Sequence, residues 1–97
     1  MLFRSELQAA FTALSSGDLA TARERVHRLT AAYPGWASAV HLEGLVAKAE
    51  GDWSTAEDRF RQSLASASVK GQTRAEYANN LGNLLREAGH PGAAEAA

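Results

Sequence analysis

Three observations predict an all-α fold made by stacking helix pairs. The hexapeptides Gly17-Asp18-Leu19-Ala20-Thr21-Ala22 and Gly51-Asp52-Trp53-Ser54-Thr55-Ala56 lie thirty-four residues apart and share four of six residues. A period of that size marks a supersecondary unit that buries its apolar face only against its neighbours. Alanine is abundant, Val and Ile are scarce, and nothing suggests a sheet. Apolar residues recur at helical spacing and are interrupted by glycines, while Pro34 and Pro91 fall at element boundaries.

Each helix can be placed in order. Leu7, Ala10, Phe11 and Leu14 form an i, i+3, i+4, i+7 stripe that stops at Gly17, where a left-handed backbone costs glycine nothing. Such stripes usually face a partner helix, so these residues are expected in the core. Asp18 can cap a second helix with a face of Leu19, Ala22, Val26 and Leu29, ended by Pro34 and Gly35. Trp36 opens a third, carrying Val40, Gly44, Leu45 and Ala47 up to Gly51. Asp52 caps a fourth with Trp53, Ala56, Phe60 and Leu64. Thr73-Arg74-Ala75-Glu76 has the capping-box pattern and opens a fifth through Tyr77, Leu81, Leu84 and Leu85 to Gly89. His90 and Pro91 then suit the start of a sixth. Connections of two or three residues between long helices predict antiparallel hairpins, with Trp36 and Trp53 packing at the junctions.

The repeat extends beyond the hexapeptides. Seven residues before Gly17, Gly51 and Gly89 stand Ala10, Gly44 and Gly82, and five residues after them stand Ala22, Ala56 and Ala94. Small residues there let helices approach closely, with Val26 and Phe60 filling the space beyond. The second period is four residues longer, about one helical turn, and the surplus in residues 66–72 can lengthen a helix without rotating its buried face.

With these residues in place the chain resembles the tetratricopeptide repeat family, whose 34-residue unit carries a W-x2-L-G-x2-Y…A-x3-F…P pattern. Leu81-Gly82 with Leu85 matches its first helix, and Ala56 with Phe60 its second; Ala22 with Val26 is a conservative version, and Pro34 falls at the closing proline. The longer second period and the run Tyr77-Ala78-Asn79-Asn80-Leu81-Gly82-Asn83 look like the branch found in kinesin light chains. Two positions depart from the pattern: Glu6 replaces the bulky aromatic, and Glu43 replaces the leucine before Gly44, which lets Leu42 turn inward. The resemblance implies a right-handed α-solenoid of antiparallel helix pairs, five full helices plus a truncated sixth. One domain would span residues 1–97, with repeats over about 3–36 and 37–72 and a partial repeat over 73–97.

The resemblance also implies a concave face lined by the first helix of each unit, holding a peptide or protein partner. In register, Arg4, Gln8, Phe11 and Ser15 come from the first unit, and His41, Leu45 and Lys48 from the second. The third supplies Asn79, Asn80, Asn83 and Arg86. The three asparagines are near neighbours on one helix face, and each amide can bond a peptide backbone without reading its sequence. A chaperone-type carboxylate clamp is not expected, since Leu7 and Phe11 stand where its lysine and asparagine belong.

Other chemistry is disfavoured. Ten basic against eleven acidic residues give a formal charge of −1, too balanced for a general nucleic-acid or anionic-lipid footprint. Arg23, Arg25 and Arg28 with His27 give the second helix a basic side, read as a solvated, ion-paired face because Glu24 sits i, i+4 to Arg28. His27, His41 and His90 lie in three elements without ligand spacing, and there is no cysteine, so neither a metal nor another cofactor is expected. No nucleophile elbow or glycine-rich phosphate loop is present, so no enzymatic activity is expected. No long apolar run suggests a membrane span, and cytoplasmic placement is the default. The third unit ends before its bulky anchor and without a polar cap, which predicts either a longer natural protein or a partner over Leu81, Leu84 and Leu85. The leading expectation is thus a non-catalytic scaffold; the alternative is a self-associating array, or the N-terminal platform of a longer enzyme such as a repeat-bearing transferase.

Overall fold

The computed structural model describes residues 2–88, with the side chains of residues 5–87, as five α-helices and no strand. They are α1 (Leu2–Ser15), α2 (Leu19–Ala32), α3 (Ala37–Ala49), α4 (Trp53–Ala65) and α5 (Gly71–Ala88). The sixth helix expected from His90 and Pro91 lies outside the described residues. Among those residues no helix is long and apolar enough to cross a membrane.

The two matched hexapeptides fold into the same turn. Gly17 and Gly51 have φ of +86° and +83°. Asp18 N–H reaches back to the Ala13 carbonyl, and Asp52 N–H to that of Ala47, both at 2.9 Å. Gly17 N–H bonds Leu14 at 3.1 Å and Gly51 N–H bonds Lys48 at 3.0 Å, completing a Schellman closure at the end of α1 and again of α3. Each aspartate then caps the next helix, its Oδ1 accepting from Thr21 N–H at 3.3 Å or Thr55 N–H at 3.2 Å. Hydrogen bonds from Thr55, side chain first and then backbone, hold the Asp52 carboxyl below its ordinary pKa. Six residues thus stop one helix and start another. Between α2 and α3 the chain turns through Tyr33-Pro34-Gly35-Trp36, closed by Trp36 N–H to the Tyr33 carbonyl at 3.1 Å.

Each helix packs on its neighbours in the chain, and α1 also meets α3. One apolar cluster joins Ala10, Ala13, Ala22, Val26, Leu42 and Val46, and a second joins Ala47, Ala56, Phe60 and Leu84. Leu45 packs against both and so ties them together. A third cluster joins Ala37, Val69 and Tyr77, with Leu64 packed against it. Since α3 lies between α2 and α4, it is buried on more than one side, which explains why its apolar residues keep no single stripe. The expected small-residue contact holds at Gly44: a Cβ there would lie 2.6 Å from two Phe60 ring carbons.

Both departures from the repeat pattern become cross-helix ion pairs. Glu43 Oε1 lies 2.9 Å from Arg59 Nε on α4, and Leu42 takes the inward position, 3% exposed. Glu6 pairs with Arg25 of α2 at 3.6 Å. Four expectations need correction. Phe11 is half exposed rather than core, because α1 is covered mainly from the side that presents Ala10 and Ala13. Trp53 is likewise exposed at its edge instead of filling its junction. Thr73 does not open α5, which starts at Gly71; the four surplus residues extend the helix by a turn, giving 18 residues against 14 in α1. Leu84 is no open flank, being 1% exposed against Phe60, whereas Leu85 does face outward.

Candidate functional site

Helical spacing brings side chains from α1, α3 and α5 around one cleft. Leu7 and Phe11 are i, i+4 on α1; Ser38, Leu42 and Leu45 lie on one side of α3 with His41; Glu76, Tyr77 and Asn80 are neighbours on α5. Together they line a space of about 370 Å³. A wider trough of about 970 Å³ adjoins it, sharing Leu7, Phe11 and Ser38 and bounded by Ser5, Gln8 and Trp36. Within the cleft itself the lining runs from Leu7 and Phe11 on α1 to Glu76 and Asn80 on α5.

His41 holds the seam between α3 and α5. Its ring lies flat on Tyr77, centroids 3.7 Å apart at 6°, and stacks on Phe60 at 4.8 Å and 27°. Asn80 Nδ2 donates to His41 Nε2 at 3.1 Å, an assignment that puts the ring proton on Nδ1. Nδ1 itself is buried and has no hydrogen-bond partner among the described residues. At 6% exposure the charged form is poorly solvated, and burial lowers the His41 pKa to about 4. The ring is neutral at pH 7 and acts as an aromatic slab.

The sequence-predicted residues divide. Phe11, His41, Leu45 and Asn80 meet at the cleft, and Gln8 lines the adjoining trough. Lys48 instead reaches Glu87 at 3.5 Å, and Arg86 donates to Asn83 Oδ1. Asn79 is exposed and lines neither space, so the three amides do not project as a group: Asn80 turns to His41, Asn83 to Arg86. Ser15 is exposed at the end of α1, and the Arg4 side chain lies outside the described residues. Missed by sequence reasoning were Glu76 and Tyr77 as lining residues, and Trp36 as a wall of the trough rather than a packing residue alone. A signal existed for the first two, since they precede Asn80 by one helical turn.

A second, smaller hollow of about 220 Å³ lies elsewhere, among α2, α3 and the start of α4, lined by Arg23, His27, Glu43, Glu50 and Thr55. Arg23 is ion-paired with Glu50 there and Glu43 with Arg59, so its charges answer one another. Compared with protein-family models, with curated proteins and with solved structures, the chain matches none of them.

Proposed function

We propose that this chain is a non-catalytic interaction module of tetratricopeptide type, in which antiparallel helix pairs stack as a short α-solenoid and the first helices of successive units hold a peptide segment of a protein partner. The observation that carries this reading is the cleft itself, which draws on α1, α3 and α5 and on no second helix of a pair. Its support at the level of the scaffold is the identical Schellman turn and aspartate cap at residues 17–18 and 51–52. Connections this short between helices that pack along each other favour antiparallel neighbours. The described part measures 44 × 30 × 19 Å, about two helices deep in its thinnest direction. Apolar walls with a few polar groups suit a segment with one anchoring side chain and backbone amides to satisfy.

The test is selection of displayed random dodecapeptides on the immobilised chain, repeated with Phe11→Glu. Phe11 is half exposed, so this change places a charge in the apolar end of the cleft without removing core, and helicity by circular dichroism should be retained. Peptides enriched on the parent should be lost on the variant. Enrichment that ignores Phe11→Glu, or no enrichment at all, removes the groove as the binding surface.

A further inference from the structure

Resting on the peptide-groove reading above, we infer that Glu76 selects the occupant by charge: the bound segment carries a lysine or arginine close to its apolar anchor, with the cation on the α5 side. Glu76 differs from the other carboxylates in how it is used. Six described glutamates are each ion-paired with an arginine or lysine. Asp58 is paired with Arg59, and Asp18 and Asp52 are occupied as helix caps. Glu76 is the exception among the described residues. Among those residues its only hydrogen bond is from the neutral amide of Gln72, at 3.3 Å. The cations of its own helix are turned elsewhere: Arg74 donates to the Leu64 carbonyl at 2.7 Å, and Arg86 to Asn83.

Among the described residues this carboxylate is also the one charged side chain lining the cleft. Tyr77 and Asn80 share its helix, and the apolar Phe11 of α1 and Leu45 of α3 line the same cleft. A segment lying in the cleft would partly exclude water from Glu76, so an acidic residue at that point is penalised and a basic one rewarded. The hydrocarbon stem of a lysine or arginine can lie along the apolar floor while its head meets the carboxylate. The anchor then sits toward α1 and the cation toward α5.

The experiment uses the full chain and the dodecapeptides recovered from random-library selection, synthesised and titrated by fluorescence anisotropy. Recovered sequences should place Lys or Arg near an apolar residue. Their affinity should fall about five- to ten-fold with Glu76→Gln and should weaken as salt is raised. Selection on Glu76→Lys should turn the preference toward Asp or Glu. Glu76 is exposed, so both variants should keep the parental helicity. Peptides that are weakened by Phe11→Glu but are indifferent to Glu76→Gln, or that carry acidic residues on the parent, overturn the charge rule and leave the groove standing. Peptides indifferent to Phe11→Glu overturn the groove reading and this inference with it.

Discussion

A histidine ring pressed between Tyr77 and Phe60, with one nitrogen bonded and the other buried without a partner among the described residues, couples stability to pH in a definite direction. Its folded pKa of about 4 lies below the unfolded value of 6.5. Above pH 6.5 neither state binds the proton and the neutral ring contributes fully. As pH falls from 6.5 toward 4 the unfolded chain takes up a proton that the folded chain refuses, so stability is lost across that window. The full shift corresponds to roughly 3 kcal/mol. Urea midpoints should therefore fall between pH 7 and pH 4.5, and His41→Phe should flatten that dependence; an unchanged slope in the variant would remove His41 as its source. Sequence reading found His41 and Asn80 but not their union. They are 39 residues apart, and periodicity within a helix says nothing about which side chains meet across helices.

At the scale of the element, the Gly-Asp-x-x-Thr-Ala unit was legible because all its hydrogen bonds are local: the chain written there closes one helix and opens the next. The start of α5 was misread for the complementary reason. Thr73 and Glu76 have the spacing of a capping box, but the Lys70 carbonyl already accepts from Arg74 N–H at 3.3 Å, and Val69, just before the helix, is buried with Ala37 and Tyr77. Glycines within helices separate two roles that look alike in sequence. Gly44 lets α3 approach α4, because an added Cβ would meet the fully buried Phe60 ring at 2.6 Å and the Ala56 carbonyl at 3.3 Å. Gly82 has no such neighbour among the described residues. Gly44→Ala should cost about 1–3 kcal/mol through overpacking, despite the better helix former. Gly82→Ala should instead gain up to about 1 kcal/mol from propensity alone. Thermal or urea unfolding of the two variants checks both, and a neutral Gly44→Ala would mean that α3 and α4 do not pack this closely.

For the molecule as a whole, the all-helical architecture and most of the core followed from composition, stripe and repeat, since amphipathic helices with local turns leave few alternatives. What the sequence left open was whether Phe11 served the core or the groove. Phe11 belongs to the same stripe as Ala10 and Leu14, yet only the arrangement of three helices leaves it half exposed over a cleft. Glu76 could be recognised as distinctive only once the partners of the other carboxylates were known. Both now stand on the surface proposed to bind. The most direct test of that proposal is amide chemical-shift mapping of the isotope-labelled chain during titration with a library-selected dodecapeptide. Perturbations are expected to gather at Leu7, Phe11, Leu45, Tyr77 and Asn80. Perturbations gathered instead at Arg23, His27 and Thr55, around the hollow among α2, α3 and α4, would contradict it.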